Sequence, residues 1–245
     1  RSIMSASAFI ARIAPIAVQL RVEGSPIFPS VRIAQAGLET GWKIPPWNNL
    51  GGYKVGSGKL TPYWRGAIVN KGTWEVYDGK RVDVTAAFRA YDSVEDFFRD
   101  QDLLFHNTRY ARVRTAQTPE EQAGMLQACG YATDPQYAQK LGSIIARHNL
   151  KRHDAEAEVQ MQMIEELKTK IEQLAAELAQ LQKRVDQLES RTRMDVPEWA
   201  RAAVDAAVAA GIVDTPDGGS VDFYRMLTVM HRSGLIQSGA STERN

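Results

Sequence analysis

The sequence predicts an α+β fold, mainly helical, built from three successive parts, and three observations carry that prediction. Residues 4–150 alternate helix-period segments with one short strand-like stretch around Asp78-Gly79. Residues 154–193 hold an unbroken heptad pattern. Residues 195–236 read as two helices on either side of a Gly-containing turn.

In the first part, helical periodicity covers 8–22, 30–40, 93–107, 119–128 and 134–149. In "TWEVYDGKRVDVTAAF" alternation runs into Asp-Gly and then resumes, which is the signature of a β-hairpin. Ser30 is placed as the N-cap of the second helix and Gly41 as its stop.

The second part places Ile164, Leu167, Ile171, Leu174, Leu178, Leu181, Val185 and Leu188 at alternating spacings of three and four, with Glu, Lys, Gln and Arg outside the seam. Four heptads with a narrow apolar stripe predict a self-associating coiled coil, and hence a homo-oligomer. Ile or Val at three of the four first-seam positions, with Leu at every second-seam position, favours a parallel dimer. Leu178 leaves a trimer open. In the third part Gly211 ends a helix whose Ala202, Ala203, Ala206 and Ala210 permit close approach by a neighbour. A unit of about 40 residues buries little by itself and would gain from being held in an oligomer.

Bulk composition narrows the function. A net charge of +1 over 245 residues gives no electrostatic case for a nucleic-acid or membrane partner. The lone Cys129 excludes an intrachain disulfide and a cysteine zinc site, and the four histidines show no paired ligand spacing. No metal or cofactor is expected. The apolar run "SASAFIARIAPIAVQL" is interrupted by Arg12 and Pro15, and falls short of the ~18 residues of a membrane span. It also lacks the charged start and cleavage site of an export signal, and Met4 reads as the natural start. The expectation is a protein made in the cytoplasm without a signal peptide.

The segment "AQAGLETGWK" carries a single acid, Glu39, in the last turn of the 30–40 helix. The negative end of the helix dipole and apolar neighbours both raise a carboxyl pKa there. A glutamic acid held protonated near neutral pH is what a glycosidase general acid requires. Gln35 lies one turn earlier on the same side. Trp42, Trp47 and Tyr53 are interleaved with Asn48 and Asn49, and Trp64 and Trp74 follow. Aromatic rings and amides in that mixture suit a polysaccharide groove. Gln35, Trp42, Asn49, Tyr53 and Trp64 are the candidate substrate contacts.

"AQAGLETGW", "NNLGGYK", "TWEVYDGK", "FRAYDSVEDFFRDQDLL", "RYARV" and "GYATDPQYAQKL" occur in that order. Over residues 8–150 this series resembles the glucosaminidase domains of glycoside hydrolase family 73, which cut the glycan strands of bacterial cell walls. The resemblance implies a lysozyme-like fold: a helical body, a small β-hairpin lobe and a sugar groove between them. It implies that Glu39 is the general acid, Glu75 the second carboxylate, and Tyr131 the motif tyrosine facing the acid. Asp134 and Tyr137 are implied as groove support. One departure is Gly51, where the family usually carries an aromatic. Two mechanisms stay open: inversion with Glu75 activating water, or participation of the substrate N-acetyl group with help from Tyr131. A muramidase or lytic-transglycosylase specificity also stays open.

The C-terminal part faintly resembles a single S-layer-homology-type repeat, which implies a secondary wall polymer as a further ligand. A wall hydrolase with these parts looks like a phage endolysin, resident in the host cytoplasm until lysis and acting on peptidoglycan. The alternative is a tail-associated structural protein with lytic activity.

Overall fold

The computed structural model describes residues 5–77 and 80–237, with the side chains of residues 73–84 left out. The chain divides into two compact units, Arg1–Glu165 and Glu166–Asn245. The first is mainly helical with one hairpin, as the sequence predicts.

Helix α1 (Ala6–Val22) is capped by the Ser5 hydroxyl, which accepts from the Ala8 N–H at 3.1 Å. It continues through Pro15. Both Pro15 and Ala11, whose carbonyl loses its partner, lie on the exposed side, so water can satisfy that carbonyl. Helix α2 (Pro29–Thr40) is the central element, with every residue from Pro29 to Gly37 buried. Its start corrects the expected Ser30 cap. Pro29 occupies the first helical position, because its fixed φ suits a helix start and its missing N–H is no loss there. Phe28 therefore precedes the helix, and the Ser30 N–H is satisfied at 2.8 Å by Asp154 Oδ1. Gly41 ends the helix in the left-handed region, φ 59°, as expected.

Strands β1 (Ile68–Tyr77) and β2 (Lys80–Arg89) pair antiparallel, from Ile68 opposite Arg89 to Tyr77 opposite Lys80. The hairpin begins earlier than the predicted stretch. The turn residues Asp78 and Gly79 lie outside the described residues. Helix α3 (Val94–Phe105) is capped by Ser93, with Glu95 and Asp96 in its first turn complementing the dipole. The short α4 (Ala111–Arg114) was not anticipated, since four residues carry no readable period. Helix α5 (Pro119–Ala128) follows a Thr118 cap, and α6 (Tyr137–Arg147) starts after the Asp134-Pro135 loop rather than at residue 134. Phe9, Ile13, Ile27, Val31, Phe97, Phe98 and Leu141 form the centre of the core.

Helix α7 (Lys151–Thr192) is continuous over 42 residues. Beyond it, α8 (Arg201–Ala209) and α9 (Val221–Arg232) enclose a small core of Ala203, Val204, Ala207, Tyr224 and Leu227. Gly211 stops α8 at φ 67°. The Tyr224 hydroxyl donates to the Pro216 carbonyl at 2.6 Å and accepts from the Gly219 N–H at 3.1 Å, closing the turn between the two helices. Among the described residues no helix is long and apolar enough to cross a membrane.

Candidate active site

Helix α2 delivers Glu39 to an open position. The buried run to Gly37 fixes the helix axis in the core, and the left-handed Gly41 ends it one turn later. Glu39 itself remains exposed, so a ligand atom can reach it. Its carboxyl is nevertheless partly shielded by protein, which raises its pKa above the ordinary glutamate value. A hydrogen bond from Tyr137 opposes that shift without cancelling it.

Tyr137 opens α6 and is buried. Its hydroxyl accepts from Gln35 Nε2 at 3.0 Å, which leaves its own proton free to point at Glu39. Burial pushes the Tyr137 phenol up, so it stays a neutral donor. Gln35 is 2% exposed, one turn before Glu39. Its expected role as a substrate contact is corrected accordingly: almost wholly buried, it holds Tyr137, which in turn orients Glu39. The same burial makes Tyr137 a partner of Glu39 rather than a groove wall.

Tyr131 lies close enough to Glu39 to feel its charge. It is half-buried, and its phenol is pushed up to about 12, by burial first and further by the charge of Glu39. Its ring packs near Phe105, Tyr110 and Tyr137 at 5.6, 6.3 and 6.0 Å. Gln101 of α3 donates Nε2 to the Tyr131 hydroxyl at 3.2 Å, and Gln101 Oε1 accepts from Arg32 Nη1 at 2.9 Å. Arg32 is 1% exposed and is neutralised by Asp102; it also donates to the Phe98 carbonyl at 3.1 Å. The Tyr53 phenol adjoins that of Tyr131, and burial raises it well above its usual range.

Sequence reasoning missed Arg32, Gln101 and Asp102. Their signal was present in the spacing. Arg32 is the one charged residue in the buried run Pro29–Gly37, and Gln101 falls three and four residues after the core phenylalanines Phe98 and Phe97. A polar residue on a buried face requires a partner.

Other expected contacts serve structure. Trp64 is 1% exposed, its Nε1 donates to the Ala67 carbonyl at 2.8 Å, and the Arg89 guanidinium lies 4.4 Å over its ring. It is a core residue, not a sugar platform. Asn49 is 4% exposed, and both of its amide protons are used, on the carbonyls of Tyr53 and Arg89 at 2.9 Å each. Its Oδ1 accepts from the Tyr53 N–H at 2.9 Å, so Asn49 shapes the 49–53 loop and has no donor left for a sugar. Trp42 is half-buried, packs on Phe9 and His148 at 5.6 and 4.8 Å, and closes over Gly37, where a Cβ would sit 2.5 Å from its ring. Asp134 pairs with Lys140 and accepts from the Gln136 N–H at 2.9 Å, anchoring the start of α6. A Cβ at Gly51 would meet Phe97 at 2.9 Å and Tyr53 at 3.2 Å, so Tyr53 already fills the space an aromatic there would take. Glu75 lies on β1 opposite Val82; its side chain, like that of Trp74, lies outside the described residues.

A helical body, a two-stranded lobe and one tyrosine-flanked carboxyl at a helix end are the plan of lysozyme-like glycoside hydrolases, and the chain falls in that class. The model of the glucosaminidase family, described as mannosyl-glycoprotein endo-beta-N-acetylglucosaminidase, matches residues 15–150, and the chain belongs to this family. It is 40% identical over 141 residues to the peptidoglycan hydrolase FlgJ of Salmonella typhimurium, a match covering 56% of this chain and 44% of that protein. The chain thus spans less than half the length of that relative. Among solved structures it is similar to a peptidoglycan hydrolase mutant from Sphingomonas sp. A1, with 36% identity, TM-score 0.50, and coverage of 60% of this chain and 96% of that one. It is also similar to the catalytic domain of the autolysin Auto from Listeria monocytogenes, with 29% identity, TM-score 0.53, and coverage of 62% and 89%.

Proposed function

We propose that the chain hydrolyses bacterial peptidoglycan at the β-1,4 bond after N-acetylglucosamine, with Glu39 as the general acid. The observation that carries this reading is the exposed Glu39 carboxyl, whose pKa is raised by its surroundings while Tyr137 hydrogen-bonds to it. One carboxyl oxygen accepts from Tyr137, and the other carries the proton delivered to the glycosidic oxygen as the bond breaks. Tyr131, neutral and oriented by Gln101, offers its hydroxyl proton beside the acid, where the substrate N-acetyl group or the attacking water would sit. Glu75 is the candidate base for an inverting path; without it the N-acetyl oxygen would attack the anomeric carbon. The sugar-binding groove of this reading includes Tyr53, Tyr131 and the accessible part of Trp42.

The test is mass spectrometry of glycan ends released from purified peptidoglycan. Reducing N-acetylglucosamine ends from the wild-type protein, and none from Glu39→Gln, are expected. Reducing or anhydro N-acetylmuramic acid ends would move the cut and change the specificity. Equal activity of Glu39→Gln would overturn the acid assignment.

The finer reading is an endolysin whose C-terminal unit holds a secondary wall polymer. It is supported only by the faint likeness of residues 195–236 to a wall-binding repeat. It predicts that residues 195–245 fused to a fluorescent carrier sediment with wall sacculi, and that removing the non-peptidoglycan polymers abolishes this.

A further inference from the structure

We infer that α7 is one strand of a parallel two-stranded coiled coil, its occupant being a second copy of this chain. The structure separates two stretches of the helix. The first is committed to the catalytic unit: Asp154 accepts from the Ser30 N–H, Lys151 pairs with Glu120, and Ala157 is 1% exposed. From Ile164 to Leu188 the eight seam residues are bare, each between 38% and 67% exposed. An apolar stripe kept in register over four heptads on a helix with no Gly or Pro is costly to leave in water, and its 3.5-residue period fits another helix of the same period.

Charge selects the second copy and its direction. In a parallel pair, each residue preceding a first-seam position faces the residue five further on in the other copy. Lys170 then meets Ala175, Glu177 meets Gln182, and Arg184 meets Glu189. Of these contacts Arg184 with Glu189 is attractive, it occurs twice by symmetry, and none is like-charged. The antiparallel pair with the seams fully overlapped sets Glu177 against its own copy and Lys170 against Arg184 twice, which are like-charge contacts, while its remaining flanking contacts, Ala175 with its own copy and Lys168 with Gln182, are neutral. Leucine at every second-seam position, with Ile164, Ile171 and Val185 among the first-seam residues, is the packing that two parallel strands prefer. A parallel pair brings the two catalytic units to the same end of the coil.

The experiment is sedimentation equilibrium of the full chain at micromolar concentration, together with oxidation of single-cysteine probes in the seam. The expected mass is twice the 27.2 kDa of one chain. Leu174→Asp combined with Leu181→Asp should return the mass of one chain while leaving the near-ultraviolet circular dichroism of the catalytic unit unchanged, since both side chains are exposed in the single chain. Leu188→Cys and, separately, Leu181→Cys should each form a covalent dimer with oxidised glutathione, whereas the wild type, with Cys129 alone, should not. A wild-type mass of one, three or four chains would overturn the two-stranded pairing. A dimer mass with no cross-link from either cysteine would overturn its parallel direction.

Discussion

Gln101 holds Tyr131 in a defined sense: its amide nitrogen donates to the phenol oxygen at 3.2 Å because its amide oxygen is committed to Arg32 at 2.9 Å. Arginine offers only donors, so it dictates which end of the amide faces it. Tyr131 must then accept from Gln101, and its own proton is left free beside Glu39. Gln101→Leu should lower kcat about 10–100-fold by freeing the tyrosine, and should cost about 1–3 kcal/mol through the unpaired Arg32 and Tyr131 groups. Gln101→Glu separates the two effects. It keeps an acceptor for Arg32 and should stay close to wild type in denaturant unfolding. Its carboxylate would recruit the Tyr131 proton, so kcat should still fall. A Gln101→Glu variant with full turnover would remove Tyr131's proton from the chemistry.

Glu39 carries the same pH signature in rate and stability: both fall as pH rises through its raised pKa. As a general acid it must be protonated, and its pKa is raised. Activity should therefore persist above the ordinary glutamate range and decline as pH rises through the raised value. For stability, the folded pKa exceeds the unfolded one. The stabilisation is full below the unfolded value of about 4.3 and is lost as pH rises through the folded value. Glu39→Gln, which mimics the protonated form, should melt at or above the wild-type temperature at pH 7 and match it below pH 4, while turnover drops about 10²–10⁴-fold. Calorimetry at the two pH values checks the sign.

Much of this was legible in the sequence because local signals and tertiary needs agreed. Gly41 marks a helix end by backbone chemistry alone, the alternating residues on either side of positions 78–79 mark two paired strands, and Glu39 was conspicuous as the one acid in a small, apolar stretch. Trp64 and Asn49 were misread for a common reason. Aromatic and amide residues in a Gly-rich segment look alike whether they bind sugar or brace a loop, and only burial distinguishes the two. The bracing partners, the carbonyls of Ala67 and Arg89, are backbone atoms that carry no side-chain signal. Arg32 and Gln101 meet across 69 positions of sequence, and a pairing that distant has no local pattern.

Trp64 supplies a test of burial against binding. Trp64→Phe removes the indole donor to Ala67 but keeps a ring under Arg89. It should cost about 0.5–1.5 kcal/mol and leave KM for glycan fragments unchanged. Trp64→Ala should cost about 3–5 kcal/mol from the cavity. A rise in KM for Trp64→Phe without loss of stability would return this residue to the sugar groove.

Asp100 is a point at which the base of the hairpin is fastened to helix α3. Its side chain is 1% exposed. One oxygen accepts from Thr61 Oγ1 at 2.7 Å, and the other accepts from Arg89 Nη1 at 2.8 Å and from the Tyr91 hydroxyl at 2.7 Å. Arg89 is the last residue of β2 and Asp100 lies within α3, so this one carboxylate joins strand end, loop and helix. Asp100→Asn keeps the shape but turns an acceptor into a donor facing other donors. It should cost about 3–5 kcal/mol, the penalty for breaking one side of a buried ion pair. Tyr91→Phe removes one donor from a carboxylate that retains two others, and should cost about 1 kcal/mol. In a double-mutant cycle Asp100→Asn and Arg89→Ala should be strongly non-additive, since each single variant strands the other member of the pair and the double variant strands neither charge. If Glu75 on β1 takes part in the reaction, Asp100→Asn should also lower kcat at temperatures where the protein remains folded, because the strand carrying Glu75 would lose its fixed base. Unchanged kcat in that variant, with the expected loss of stability, would favour participation of the substrate N-acetyl group over a hairpin-borne base.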